Sequence, residues 1–306
     1  MLMSRLNRRQ SQRLLETALD AGFTHFDTAR LYGYGEAEAA LGSAISGRRD
    51  KLTVTTKVGI LPPRRTPYLD LAKSVGRRAA VFVPQLRFRL RRRADAMVQW
   101  GIFDIPAITA SLETSLRQLK TDYVDFLLLH ECSIQDMERP ELLEFLEEVK
   151  RKGKIRYYGL AATAPVTEVA LVRFQEYARV VQFPSSAFEP TIDRLDLRSG
   201  PAIFTHSPLS QGFAQLYSEL SRDLPWAAQW SSRLGIDCLN RSALGRLALH
   251  FALQMNPAGV VLFASASESN IRCNAKQVGA AIDCEQMWQF GGLVDEFRRT
   301  KVVSRG

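Results

Sequence analysis

The chain has 306 residues, 46% apolar and 24% charged, a composition that fits a globular fold and excludes disordered, collagen-like and disulfide-stapled classes. No apolar run approaches the roughly 18 residues of a membrane span, so no integral membrane segment is expected. The formal charge of +9 is concentrated in residues 61–93, where Arg64, Arg65, Lys73, Arg77, Arg78, Arg87, Arg89, Arg91, Arg92 and Arg93 face one acid, Asp70, leaving the remainder neutral.

Along the chain, helix-period segments alternate with short β-rich runs, the order expected of a parallel sheet covered by helices. "MLMSRLNRRQSQ" lacks the apolar core of a secretory signal, so no export is expected. "SQRLLETALDAG" has apolar residues at helical spacing and a C-capping Gly22, and it leads into the strand "FTHFDTA". Next come helix "GEAEAALGSAIS" and strand "KLTVTTKVG", a basic insertion over residues 61–102, then helix "IPAITASLETSLRQL" and strand "VDFLLLH". Helix "PELLEFLEEVKRKG" and strand "IRYYGLAA" follow, then helix "VTEVALVRFQEYA" with strands "RVVQFPSS" and "AIFTHSPL", then helix "SALGRLALHFALQ" and strand "GVVLFAS".

These seven near-continuous apolar strands suit either a closed barrel or an open doubly wound sheet. No G-x-G-x-x-G turn follows a strand and no G-x-x-x-x-G-K-[ST] occurs, which favours the barrel. A single barrel domain over residues 1–306 is therefore expected. Cys132, Cys238, Cys273 and Cys284 are scattered without CxxC spacing, so neither a metal site nor a disulfide framework is expected, and the reducing cytoplasm is the default location. The basic run reads first as a solvated insertion; binding of an anionic small molecule or a polyanion is the weaker reading.

Barrel enzymes place their chemistry at the C-terminal ends of the strands. Reading those ends gives Asp27 and Tyr32 in "FDTARLYGYGEAE", Lys57 in "TVTTKVG" and His130 in "DFLLLHE". A phenol, with an ordinary pKa of about 10, is a poor acid at neutral pH unless a cation stabilises the phenolate. Lys57 is that cation: at about 4 Å and an effective dielectric of about 20, the attraction of about 4 kcal/mol would carry Tyr32 toward neutrality. Asp27 would keep Lys57 charged, and His130 would donate to a carbonyl oxygen that Tyr32 protonates. Taken singly, each residue has an ordinary structural explanation as a cap, a half-buried aromatic, a surface cation or a core histidine. Together they make a site.

With "GFTHFDTARLYGYGEAEAALG", "TVTTKVG", "TSLRQLKTDYVDFLLLHE", "GKIRYYGL", "VVQFPSS" and "SPLSQG", the chain resembles the aldo-keto reductase family from about residue 12 to residue 275. The long segment after Lys57 is similar to that of the branch containing sugar-aldose, fucose and pyridoxal dehydrogenases. The resemblance implies a (β/α)8 TIM barrel that interconverts carbonyls and alcohols with NADP or NAD, and a tetrad falling on Asp27, Tyr32, Lys57 and His130. It places Gln182 at the nicotinamide amide, His206 where the stacking aromatic stands, Ser207, Leu209, Ser210 and Gln211 along the pyrophosphate, and Ser265 and Asn274 toward the adenosine end.

Three departures accompany it. The family's first barrel strand has no counterpart, so either the true start lies upstream or the barrel has seven strands and a gap. The Ser and Asn that hold the carboxamide are Ala161 and Ala162, and the Lys and Arg that hold the 2'-phosphate are Ala264 and Asn270, leaving NAD and NADP both open. The expected activity is a hydride-transferring oxidoreductase on a small carbonyl or alcohol, with no membrane partner, nucleic acid disfavoured and an oligomer allowed. The alternative is a catalytically impaired scaffold or regulatory binding protein on the same fold.

Overall fold

The computed structural model describes residues 8–63, 97–278 and 283–303. The ten basic residues of the insertion lie outside the described residues. Among the described residues seven strands form one sheet in sequence order: β1 His25–Asp27, β2 Thr53–Val58, β3 Val124–His130, β4 Ile155–Ala161, β5 Val180–Pro184, β6 Ala202–His206 and β7 Val260–Leu262. The pairs β1–β2, β2–β3, β4–β5, β5–β6 and β6–β7 are parallel. The main helices are α1 Arg8–Asp20, α2 Ala37–Ala44, α3 Ile105–Leu119, α4 Pro140–Arg151, α5 Ala164–Arg173, α6 Gln211–Leu220, α7 Leu224–Leu234, α8 Arg241–Met255, α9 Glu268–Ala275 and α10 Cys284–Val303.

Contacts divide the chain into two compact units: residues 1–12 with His25–Tyr157, and Arg13–Thr24 with Tyr158–Gly306. In the first, β3 buries Val124, Leu127, Leu128 and Leu129, which explains why "VDFLLLH" reads as a continuous apolar run rather than an alternating one. Helix α3 has sharp boundaries: the Asp104 side chain accepts from Ala107 N, Pro106 sits in the first turn, and Lys120 closes the helix in the left-handed region at φ 55°. Helix α4 buries Leu142, Phe145, Leu146 and Val149, one stripe at helical spacing. Helix α2 closes on the end of α3 at Gly42, where an added Cβ would lie 2.3 Å from the Gln118 carbonyl oxygen.

In the second unit, α6, α7, α8 and α10 bury Phe213, Leu216, Trp230, Leu244, Phe290 and Val294 in a common apolar cluster. Strands β6 and β7 are tied by the buried Asn256, whose amide donates to the carbonyl oxygens of Ile203 and Val260 and to Thr205 Oγ1. Strand β1 is shorter than "FTHFDTA" predicts, since only His25, Phe26 and Asp27 pair with β2. Helices α6, α7, α9 and α10 were not predicted from the sequence pattern.

Candidate active site

The first unit carries Asp27, Tyr32, Lys57 and His130. Asp27 is the last residue of β1, Lys57 the penultimate residue of β2, and His130 the last of β3, all near the C-terminal ends of neighbouring parallel strands. Tyr32 opens the short 3-10 turn Tyr32–Tyr34 that follows β1. Buried Ala29 and Leu31 anchor this turn, and the Tyr32 amide donates to the Ala29 carbonyl at 3.0 Å. Gly33 and Gly35 take φ 62° and 85°, which reverses the chain immediately after the phenol.

Lys57 is 2% exposed and donates to both Asp27 carboxylate oxygens, at 2.6 and 2.5 Å. It also donates to the Thr28 carbonyl at 3.2 Å and to the Tyr32 hydroxyl at 3.4 Å. Burial disfavours the ammonium, but the Asp27 carboxylate, helped by Tyr32, outweighs it and holds the Lys57 pKa above its ordinary value. Lysine 57 is therefore a fixed cation. Because the phenol oxygen accepts from Lys57, its own proton is directed elsewhere. The His130 ring meets Tyr32 edge-on, with centroids 6.2 Å apart and planes at 89°. The four residues named from the sequence are thus brought together: three by hydrogen bonds and the fourth by ring contact.

Beyond β2, Gly59 has φ 111°, and a Cβ there would lie 2.3 Å from the Phe103 ring and 3.0 Å from the His130 carbonyl oxygen. This position therefore requires glycine, and it packs Phe103 against the strand ends that hold Lys57 and His130. His25, two residues before Asp27, bonds Thr53 Oγ1 at 2.8 Å and Thr55 Oγ1 at 3.3 Å. Burial pushes the His25 pKa down, with Lys57 adding to the shift and Asp27 and Asp125 opposing it.

The residues expected to hold a cofactor lie in the second unit. Gln182 is buried on β5, in register with Phe204 of β6 and beside Ala161 of β4. His206 ends β6, and its Nδ1 lies 2.9 Å from Ser207 Oγ; Ser207 itself has φ 62°. Leu209 is exposed, Ser210 precedes α6 with its hydroxyl 3.3 Å from that of Ser186, and Gln211 is the first residue of the helix. Ser265 and Asn274 belong to a separate segment, the turn before α9 and the end of that helix; the Ser265 hydroxyl donates to the Ser267 carbonyl. Ala161 and Ala162 are buried and apolar. No three potential metal ligands cluster among the described residues, and no helix there is long and apolar enough to cross a membrane.

Sequence reasoning missed the polar residues behind the tetrad: His25, Thr56 and the pair Arg30–Glu38. The available signal was a glutamate within the Ala- and Leu-rich segment "AEAALG" of α2.

A sequence model of the Aldo/keto reductase family matches residues 2–294. The chain belongs to this family. Among curated relatives, it is 31% identical to the uncharacterized oxidoreductase YqkF of Bacillus subtilis (strain 168) over 153 residues, 50% of this chain and 40% of that protein. It is 33% identical to a D-threo-aldose 1-dehydrogenase of a Pseudomonas species over 156 residues, 49% of this chain and 43% of the relative. The chain thus spans about two fifths of the length of these curated relatives.

Among solved structures, the holo form of aldo-keto reductase AKR11C1 from Bacillus halodurans matches with a TM-score of 0.65 at 22% identity, covering 94% of this chain and 88% of that one. An aldo-keto reductase from Klebsiella pneumoniae in complex with NADPH matches at 0.63 and 22%, covering 94% and 85%. The fold class is the TIM barrel of these aldo/keto reductases.

Proposed function

We propose that this chain is an NAD(P)-dependent oxidoreductase that interconverts an aldehyde, ketone or sugar lactol with the corresponding alcohol, with Tyr32 as the general acid or base. The observation that carries this reading is a single ammonium, Lys57, clamped by both oxygens of Asp27 while it donates to the Tyr32 hydroxyl.

In reduction, Tyr32 gives its proton to the substrate oxygen, and the phenolate left behind is met at once by the Lys57 charge. In oxidation the same phenolate removes the alcohol proton. Asp27 keeps Lys57 protonated throughout the cycle, so the cation needs no rearrangement when charge develops. His130 donates a second hydrogen bond to the substrate oxygen and orients it.

The residues present fit a nicotinamide dinucleotide, which supplies or accepts the hydride when bound. Gln182 offers a buried carboxamide for the nicotinamide amide. Ser207, Ser210 and Gln211 stand at the start of α6, where the Ser210 side chain makes no hydrogen bond to the helix. The first N–H groups of a helix are natural partners for a pyrophosphate. Ser265 and Asn274 would hold the adenosine end.

The family membership and the aldose dehydrogenase relative support a small carbonyl or sugar-like substrate. The test is fluorescence titration with NADH and NADPH, followed by absorbance at the nicotinamide band with a panel of aldehydes, ketones and aldoses. Turnover that Tyr32→Phe abolishes while dinucleotide binding persists is the expected result; no binding at millimolar cofactor refutes it.

One observation favours a second reading. The apolar Ala161 and Ala162 offer no side-chain hydrogen bonds where the family pattern has two, which suits a binding or regulatory protein that has kept the scaffold. A biological activity unchanged by Tyr32→Phe is the outcome that selects it.

A further inference from the structure

The loop that carries Tyr32 and the strand that carries Lys57 are joined behind the tetrad by a buried charge that the chemistry above does not use. Glu38, on α2, is 0% exposed. Its Oε2 accepts from Arg30 Nη1 at 2.9 Å, and its Oε1 accepts from Thr56 Oγ1 at 2.7 Å. Arg30 stands two residues before Tyr32, and Thr56 immediately before Lys57. Arg30 also donates to Gln118 Oε1 of α3 at 3.1 Å, an arrangement allowed by the close approach of α2 and α3 at Gly42, one turn along from Glu38.

We infer that Glu38 is a positioning residue, holding Tyr32 at its place beside Lys57 through Arg30 on one side and Thr56 on the other. The inference rests on the reading of Tyr32 as the proton-transfer residue.

Two arguments support it. A buried ion pair is a poor way to gain stability, because well-packed apolar residues of similar volume do as well or better. What the carboxylate adds is direction: its two oxygens bind donors on two separate segments, which an apolar side chain cannot do. Moreover, the Tyr32–Lys57 contact at 3.4 Å is long, so a small drift of the loop would break it. Arg30 Nε is buried without a hydrogen-bond partner, so the guanidinium depends on Glu38 and Gln118 for its placement.

The decisive variant is the double replacement Arg30→Met with Glu38→Leu, which removes both charges and leaves no uncompensated ion. It is compared with Glu38→Gln, whose amide can still accept from Arg30 while its NH2 donates to Thr56, and with Tyr32→Phe. Thermal melts establish folding. Hydrogen–deuterium exchange of the segment 28–35 reads the order of the loop without any substrate. Steady-state kinetics separate kcat from the KM for cofactor.

The expected result is a folded double variant with faster exchange in 28–35, unchanged protection of β2, kcat down about a hundredfold and cofactor KM unchanged. Glu38→Gln should recover kcat to within about tenfold of the parent. A folded double variant with parental exchange in 28–35, or with loosened exchange but parental kcat, overturns the inference. If the parent itself shows no turnover, or Tyr32→Phe is fully active, the functional reading fails, and the exchange result alone decides whether Glu38 orders the loop.

Discussion

Replacing Lys57 with Met removes the ammonium and leaves a side chain of similar length. Two separate costs follow. The Asp27 carboxylate loses both of its Lys57 hydrogen bonds, and breaking a buried pair from one side costs about 3–5 kcal/mol of stability. The proposed proton-transfer step loses a cation 3.4 Å from the phenol oxygen. With an effective dielectric of about 20, the full-charge attraction at that separation is about 5 kcal/mol, and a half-developed phenolate would lose about half of it. The expected fall in kcat/KM is therefore about two orders of magnitude, with between three and four as a ceiling. The assay is steady-state carbonyl reduction at saturating cofactor, beside thermal melts of Lys57→Met and of Lys57→Met with Asp27→Asn. The double variant should recover part of the lost stability and none of the lost rate. A folded Lys57→Met with kcat/KM within about threefold of the parent would refute the role given to the ammonium.

Three further outcomes are expected. His25 is held below its ordinary pKa by burial, so the unfolded chain binds the proton more readily; stability should fall as pH drops through about 6.5 toward the lowered folded value, and His25→Gln should flatten the slope of unfolding free energy against pH in that window. Gly59→Ala forces a methyl group onto Phe103 and the His130 carbonyl at a positive φ, and should cost about 2–4 kcal/mol, read as a fall in the denaturant midpoint. Ala161→Ser with Ala162→Asn restores two hydrogen-bonding side chains and should tighten dinucleotide binding by about tenfold per bond formed, measured by fluorescence titration; weaker binding would show that the carboxamide is held by other groups.

The clustering of the four residues was legible because Asp27, Lys57 and His130 stand at or beside the ends of apolar strands and Tyr32 on the turn after the first, and strand ends are where this architecture exposes chemistry. The segments "IPAITASLETSLRQL" and "VDFLLLH" coincide with α3 and β3 because their signals are local: Asp104 and Pro106 start the helix, left-handed Lys120 stops it, and a doubly buried strand is apolar throughout. Helices α6 and α7 were missed: "SPLSQG" taken alone is an ordinary turn, whereas Asp223 and Pro225 mark the start of α7 as Asp104 and Pro106 mark that of α3. Glu38 was hidden for a different reason. A glutamate in a helix normally marks the solvent-facing side, and only the tertiary arrangement turns it inward onto Arg30 and Thr56.

The crowded coordination of Lys57 also bears on chemical self-protection. An unprotonated amine beside an aldehyde condenses to an imine, so if the chain acts on carbonyls as proposed, a free amine at this position would be trapped by its own substrates. Here the nitrogen's three hydrogens are shared among four oxygens, and its lone pair is committed to a proton that Asp27 keeps in place. The arrangement that polarises the phenol also withholds the nucleophile, so the residue lends its charge without entering covalent chemistry.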